Sequence, residues 1–198
     1  MKSCQNFPVG VLVLVLPENP GEVEKQAALE LRNALFQMSR KQVPVLGAKH
    51  SHLGDRIGLY FGGRAAQQSG FRLSKLPGNT VEISRLNQHN FIFRGEGERG
   101  LLEAIYTWLE FLGCRWFHPQ VSFYPRRETV PIPENFHYTA SFAYRDALWK
   151  VPGEDGDWSS RNRLNGCFAG LEKRHGRFWG WEPFTHSFYQ MVPPRIYG

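Results

Sequence analysis

An almost unbroken run of valine and leucine, from Val9 to Leu16, constrains the fold more than any other stretch of this sequence. A short apolar run without alternating polar residues is typical of a strand that is buried on both faces of a sheet. A cluster of proline, asparagine and glycine ends it, and apolar positions then recur every three or four residues from Glu22 to about Met38. This second pattern predicts an amphipathic helix that packs on the sheet.

Further strands and a second helix are predicted in the middle of the chain. Short apolar or alternating stretches predict strands at Gln42 to Leu46, Ile57 to Phe61, Thr80 to Arg85 and Phe91 to Arg94. The last two stretches are joined by four polar residues and predict an antiparallel hairpin. Gly62-Gly63 predicts a turn, and a helix is expected from Arg99 to Leu112, ended by Gly113. The expected fold class is α+β, one sheet with two helices packed on it.

A change of pattern after the second helix divides the chain. Pro119 to Pro133 holds four prolines and little periodicity, which is typical of a connection between domains. Beyond it, Phe142 to Trp149 predicts a strand, Asp157 to Leu164 a short helix, and Phe184 to Met191 another strand, the order of a β-α-β unit. We therefore predict a domain over residues 1–118, a proline-rich connection over 119–141 and the start of a second domain over 142–198.

The net charge, the cysteine spacing and the length of the apolar segments exclude several classes of partner and site. The formal net charge is +6, but the basic residues are scattered, and the pairs Arg40-Lys41 and Arg126-Arg127 stand far apart in the sequence, so we do not expect nucleic-acid binding. An acidic sugar remains compatible with this charge. The three cysteines form no CxxC pair and indicate neither a disulfide framework nor a zinc site. No segment approaches the roughly 20 apolar residues of a membrane span, and the run at Val9 lacks a signal-peptide cleavage site.

Three sequence blocks resemble a family of bacterial proteins. They are Ala27-Ala28-Leu29-Glu30-Leu31, the block from Gly100 through Gly113-Cys114-Arg115-Trp116-Phe117-His118-Pro119, and Tyr144-Arg145-Asp146 followed by Arg161-Asn162-Arg163-Leu164-Asn165-Gly166. Proteins of that family carry an alpha-glucuronidase-like or beta-hexosaminidase-like accessory domain ahead of a glycoside-hydrolase-like barrel. His175-Gly176 and Thr185-His186-Ser187-Phe188 also fit the pattern.

The resemblance implies a non-catalytic accessory domain followed by a (β/α)8 barrel that binds carbohydrate. Such a barrel needs about 250 residues and builds its active site on loops after several strands. The sequence stops at Gly198, so we expect only the first strand, first helix and second strand of the barrel. The expected function is the N-terminal part of a glycoside hydrolase acting on polysaccharide or uronic-acid-containing glycans, inactive alone. A stand-alone carbohydrate-binding or interaction module is the alternative.

Candidate sugar-binding residues lie in or beside the predicted strand ends of residues 142–198. Aromatic faces stack on sugar rings, while arginine, asparagine and histidine donate hydrogen bonds to hydroxyls or a carboxylate. The candidates are Arg145, Trp149, Asn165, His175 and His186. For each of them, core packing or a structural hydrogen bond is the alternative. No carboxylate stands out as catalytic, and Asp155 and Asp157 occupy positions typical of helix N-caps.

Two other sequence patterns resemble ligand sites but do not predict one. Gly95-Glu96-Gly97-Glu98-Arg99-Gly100 matches the spacing of a dinucleotide-binding loop, but its glutamates would repel a pyrophosphate and its strand belongs to a hairpin. Cys167, His175 and His186 have side chains of the types that bind metals, but histidines that make structural hydrogen bonds are commoner than metal ligands. We expect no metal and no cofactor, and the sequence leaves the oligomeric state and cellular location open.

Overall fold

A computed structural model describes residues 3–50, 53–97 and 99–176 of the chain. The strands of this part are β1 (Cys4–Pro8), β2 (Leu12–Leu16), β3 (Val45–Gly47), β4 (Ile57–Phe61), β5 (Thr80–Asn87), β6 (Asn90–Gly95), β7 (Arg115–His118), β8 (Val121–Phe123), β9 (Thr129–Pro133) and β10 (Asn135–Thr139). The helices are α1 (Glu22–Ser39), α2 (Gly62–Gln68), α3 (Gly100–Phe111), α4 (Lys150–Glu154) and α5 (Gly156–Arg161), with 3-10 turns at Val9–Val11, Ala48–His50 and Lys173–His175.

A mixed six-stranded sheet in the order β10-β5-β6-β4-β2-β3 organises the fold. Strands β3, β2, β4 and β6 run parallel, whereas β5 and β10 run antiparallel to their neighbours. Two further pairs, β1 with β9 and β7 with β8, form separate antiparallel ribbons. The predicted α+β class and the hairpin of β5 and β6 are confirmed.

Strand β2 lies at the centre of the core because both of its faces are apolar. All five of its residues are buried. Leu12, Leu14 and Leu16 belong to the larger core cluster on one face of the sheet, and Val13 and Val15 belong to the smaller cluster on the other face. The remainder of the predicted strand, Val9–Val11, is a 3-10 turn, fixed where the Val9 amide donates to the Glu128 carbonyl at 2.9 Å.

Helices α1 and α3 cover the larger face and pack against each other, as their periodicity predicts. The buried apolar side chains of α1 are Ala27, Ala28, Leu31, Ala34, Leu35 and Met38. Those of α3 are Leu101, Leu102, Ala104, Ile105, Tyr106, Trp108 and Leu109. Trp108 is fully buried against Phe93, with the two ring centroids 5.1 Å apart, and its indole N–H donates to the Pro131 carbonyl at 2.8 Å.

Helix α2 covers the smaller face and corrects one prediction. The pair Gly62-Gly63 begins this helix rather than making a turn. Gly62 has a φ of 80°, which lets the chain leave β4 and enter a helix directly. Ala65 and Ala66 are then fully buried against the same face as Val13, and this tertiary packing outweighs the turn preference of the two glycines. A second, smaller shift places β3 at Val45–Gly47, later than the predicted Gln42 to Leu46.

The proline-rich stretch contributes strands as well as a connection. Strand β9 pairs with β1 across the register Cys4↔Pro133, and β10 extends the central sheet beside β5. Prolines are tolerated here because β9 lies in a two-stranded ribbon, where edge positions need not donate to a neighbour. The boundaries at residues 1–118, 119–141 and 142–198 stay predictions.

The segment from 142 to 176 is built differently from the prediction. No strand is present at Phe142 to Trp149, because the backbone of Arg145 bonds to the loop at Asn165 instead of a neighbouring strand. The predicted short helix is confirmed as α5, preceded by the short α4. The predicted strand at Phe184 to Met191 lies outside the described residues. Among the helices that are described, none has the length and apolar character of a membrane span.

Candidate functional site

Arg145 and Asn165, two of the predicted sugar-binding residues, hold each other in place. The Arg145 amide donates to the Asn165 side-chain carbonyl at 2.7 Å, and the Arg145 carbonyl accepts from the Asn165 amide at 2.8 Å. The Asn165 side-chain amide donates to the Ala143 carbonyl at 2.7 Å. Asn165 is buried, so it acts as a peptide-like bridge between two loops.

The guanidinium of Arg145 is also engaged within the chain. Its Nε donates to the Arg163 carbonyl at 2.9 Å, one terminal nitrogen donates to the Phe142 carbonyl at 2.7 Å, and the other bonds to the Glu103 carboxylate on α3. This arrangement ties the segment after residue 142 to the sheet-covering helix α3. All three guanidinium nitrogens of Arg145 thus make structural bonds within the chain, and its sugar-binding role stays a prediction.

Asp146 lies next to Arg145 and is a residue that the sequence does not single out. One carboxylate oxygen accepts from the Tyr144 hydroxyl at 2.8 Å and from the Phe168 amide at 3.0 Å. Gly166 faces this carboxylate, and a Cβ there would come within 2.2 Å of it. Only glycine permits so close an approach, which explains the Asn165-Gly166 order in the sequence.

A recess of about 400 Å³ opens beside these groups. It is lined by Phe142, Tyr144, Arg145, Asp146, Leu148 and Leu164. Phe142 and Leu148 are 74% and 63% exposed, which is unusual for large apolar side chains. A carboxylate, a phenol and exposed apolar faces together offer hydrogen-bonding and stacking positions of the kind that a sugar ring uses.

Trp149 presents an open aromatic face. Its side chain is 61% exposed, and its ring centroid lies 6.4 Å from that of Trp158. Trp158 is itself buried, and its indole N–H donates to the Trp116 carbonyl at 3.0 Å. The exposed ring is thus supported by a fixed one, which suits a stacking platform.

His175 belongs to a different cluster. It is fully buried, its Nδ1 accepts from the Glu172 amide at 2.9 Å, and its Nε2 lies 2.8 Å from Asp157. Because Nδ1 accepts, Nε2 carries the proton and donates to the carboxylate. This hydrogen bond, together with the charge of Arg174, holds the pKa of Asp157 below its ordinary value, although burial opposes the shift. His186 lies outside the described residues.

A buried ion pair joins this cluster to α1. Both oxygens of Glu30 accept from Arg161, through Nε and one terminal nitrogen, each at 2.9 Å. Glu30 is 6% exposed. In the sequence, Glu30 stands on the apolar stripe of α1, three residues after Ala27 and four before Ala34. An acidic residue at such a position is the only pattern that could have pointed to the pair.

The remaining carboxylates of this region have structural partners. Asp155 accepts from the Trp158 amide at 2.7 Å and caps α5, as predicted. Asp157 pairs with His175 rather than capping. Glu154 and Glu172 pair with Lys150 and Arg174. In the part of the chain that is described, no group of three or more histidine, cysteine, aspartate and glutamate side chains could hold a metal ion.

The glycine-rich segment before α3 has a packing role. A Cβ on Gly95 would come within 2.5 Å of the Gly100 backbone, so the strand and the helix start touch closely. An open recess of about 900 Å³ lies at the carboxyl ends of β2, β4 and β6. Its charged lining residues are Glu22, Glu24, Arg64 and Lys173. Glu24 accepts from the Gly21 amide and lies 3.9 Å from Arg64, so opposite charges compensate locally.

Comparison with known proteins gives structural matches. No protein-family model matches the chain, and no curated protein matches it. A family GH115 4-O-methyl-alpha-glucuronidase with specificity for decorated arabinogalactans superposes with a TM-score of 0.60 over 97% of this chain at 13% identity. An N-acetyl-beta-hexosaminidase of Streptomyces plicatus superposes with a TM-score of 0.51 over 83% of this chain at 14% identity.

Both matches concern the fold. The chain covers 33% of the glucuronidase and 30% of the hexosaminidase, so it spans about a third of each of these proteins. The predicted likeness to glycoside hydrolase domains is confirmed at this level. The identities are too low to transfer any residue role.

Proposed function

We propose that the chain forms the accessory part of a glycoside hydrolase that acts on polysaccharide or uronic-acid-containing glycans. The observation that carries the proposal is the superposition of nearly the whole chain on one third of a 4-O-methyl-alpha-glucuronidase. In this proposal residues 142–198 lead into a catalytic (β/α)8 barrel, and the six-stranded sheet with helices α1, α2 and α3 forms the non-catalytic domain in front of it.

The partners of the carboxylates support a non-catalytic role. Glycoside hydrolysis commonly uses two carboxyl groups about 5 to 10 Å apart, one of which must be free to donate or accept a proton. Asp146, Asp155 and Asp157 instead accept bonds from amides, a phenol and a histidine within the chain. Catalytic carboxylates would then be supplied by later barrel strands.

The sugar-contacting surface proposed for this chain is the recess beside Asp146, with Trp149 as a stacking platform. Arg145 and Asn165 shape the recess through their bonds to the loops around it. We propose no sugar contact for His175, because it is fully buried and bonded to Asp157. His186 stays a predicted contact.

A carbohydrate-binding module without an attached barrel is the second candidate. The exposure of Trp149 and Phe142 favours it, since a module needs open aromatic faces and no catalytic pair. Both candidates share glycan binding by the 198-residue chain and differ in whether a catalytic barrel is attached to it.

Calorimetric titration of the 198-residue chain with a panel of neutral and uronic-acid-containing oligosaccharides tests the proposal, together with an assay for released sugar. We expect binding without hydrolysis, weakened in Trp149→Ala. Arg56→Ala, an exposed cation beyond the recess, is the matched control and should bind normally. Hydrolysis by the purified chain would contradict the non-catalytic role, and absence of binding to the whole panel would contradict both candidates.

A further inference from the structure

Two pairs of basic residues that stand far apart in the sequence meet at one end of α1. Arg40 ends the helix in a left-handed conformation, with a φ of 61°, and Lys41 follows it. The Arg127 amide donates to the Met38 carbonyl at 3.1 Å, which places Arg126 and Arg127 at the same helix end. The C-terminal end of a helix carries a partial negative charge, so it interacts favourably with these cations.

A fifth cation joins them through the β7–β8 ribbon. The thiol of Cys114 lies 3.8 Å from the Met38 sulfur, so the ribbon starts beside the end of α1. Arg115 is the next residue. Burial raises the pKa of the Cys114 thiol, and the nearby charges of Arg115 and Arg127 oppose that rise. We call the set Arg40, Lys41, Arg115, Arg126 and Arg127 the basic end.

All five side chains of the basic end are exposed. No carboxylate of the described residues forms an ion pair with any of them; Glu110, the nearest carboxylate on α3, is paired with Arg163 at 2.5 Å. Glu128 follows Arg127 and offsets one charge of the five.

Large apolar side chains border this charge. Phe123 stands directly opposite Arg115 across the ribbon and is 53% exposed. Phe117 and Val121 on the same ribbon are 67% and 53% exposed, whereas Trp116 turns inward and is 5% exposed. The ribbon is therefore anchored by one indole and keeps its other large side chains in solvent, where an aromatic face is free to stack.

We propose that the basic end and Phe123 form a binding surface for an acidic polysaccharide. Guanidinium groups bind carboxylates in a bidentate fork, and a pyranose ring stacks on a phenyl face. Phe123 opposite Arg115 offers a phenyl face and a guanidinium to the same uronic acid ring, whereas single-stranded nucleic acid is held by successive stacked bases along a charged groove. This surface extends the proposed function, on which the choice of a glycan rests, and lies apart from the recess beside Asp146.

The test is calorimetric titration of the 198-residue chain with tetragalacturonate, with neutral galactotetraose and with a single-stranded oligonucleotide. We expect tetragalacturonate to bind with an affinity that falls as salt is added. Arg126→Glu with Arg127→Glu should weaken it by about tenfold or more, and Phe123→Ala by about three- to tenfold. Arg72→Glu with Lys75→Glu makes the same charge change on the loop before β5 and should stay within about twofold.

Three results would overturn the proposal. They are equal losses in the two charge-reversed variants, an affinity for the oligonucleotide above that for tetragalacturonate, and failure to bind tetragalacturonate. If tetragalacturonate binding survives Arg126→Glu with Arg127→Glu but is lost in Trp149→Ala, this surface is wrong while the proposed function stands. If no glycan binds at all, both fail. Circular dichroism of each variant verifies that the exposed substitutions leave the fold unchanged.

Discussion

The sheet unit, residues 3–139, and the following segment, residues 142–176, are held by different forces. The sheet unit buries almost all of the larger core cluster, including Trp108, Phe93 and Leu14 at 0% exposure. The following segment contributes few residues to that cluster and contains only short helices. Its shape depends on polar groups such as Arg145, Asn165 and Asp157.

The difference explains where a binding surface can form. Apolar burial is non-directional and is proportional to area, so it stabilises a sheet without leaving polar groups free. Loops held by hydrogen bonds keep polar and aromatic side chains near the solvent, where a ligand can reach them. The core of the sheet unit is thus a scaffold. Ligands can reach the segment that it supports, which carries the recess beside Asp146, and the exposed residues at the surface of the sheet unit itself, which include the basic end.

Truncation of a core tryptophan gives the largest expected effect. Trp108→Ala removes a fully buried indole packed on Phe93 and leaves the Pro131 carbonyl without its donor. We expect a loss of about 3 to 5 kcal/mol in the free energy of unfolding, measured by urea denaturation. Trp149→Ala, in the following segment, should change it by less than about 0.5 kcal/mol. Equal losses would break the comparison.

Removal of one partner of the buried ion pair comes next. Glu30→Ala leaves Arg161 without its carboxylate in a largely buried position, and we expect it to cost about 3 kcal/mol. Glu30→Leu combined with Arg161→Met replaces the pair by apolar groups and should recover most of that loss. Glu22→Ala, at an exposed position in the first turn of α1, is the control and should cost less than about 1 kcal/mol, because it loses only an interaction with the helix dipole. A double variant as unstable as Glu30→Ala would contradict this account.

Acid should loosen the following segment through Asp157. Because the folded pKa of Asp157 is lowered, its contribution is complete above the unfolded value of about 3.9 and is lost as the pH falls through the folded value. We expect limited proteolysis near α5 to accelerate in that window. In Asp157→Asn, which cannot titrate, the acceleration below about pH 4 should be smaller. Identical pH profiles would show that Asp157 does not link the segment to pH.

Loss of a helix cap gives the smallest expected effect. Asp155→Ala removes the acceptor of the Trp158 amide at the start of α5 and should cost about 1 kcal/mol. Asp155→Asn keeps a capping oxygen and should retain most of the stability. Thermal melts of the two variants measure the difference. An Asp155→Asn variant that is less stable than Asp155→Ala would contradict the capping role.

Periodic apolar patterns predict the sheet unit well. The stripe from Val23 to Met38 and the alternation in β5 and β6 are consequences of local geometry, so the sequence alone reveals them. Strand β1 pairs with β9, more than a hundred positions away, and no local sequence pattern predicts this pairing. The turn at Gly62-Gly63 fails as a prediction because burial of Ala65 and Ala66 decides the local structure.

Side-chain networks are harder to predict than elements. The sequence places Arg145 and Asn165 among the candidates but does not show that they bond to each other, because their contact needs two loops to meet. The apolar character of Phe142 to Trp149 suggests a strand, yet its backbone groups find partners in the loop at Asn165. The basic end could not be predicted from the sequence for the same reason, because folding brings the segments of Arg40 and Arg127 together.

Hydrogen exchange followed by mass spectrometry tests the division between the two regions most directly. The amides of β2, β4 and β6 should exchange only through global unfolding, because these buried strands each have a neighbouring strand on both sides. Amides of residues 142–176 should exchange through local opening at a clearly lower free energy, since their bonds depend on polar side chains near solvent. Equal protection of the sheet strands and of residues 142–176 would contradict the account.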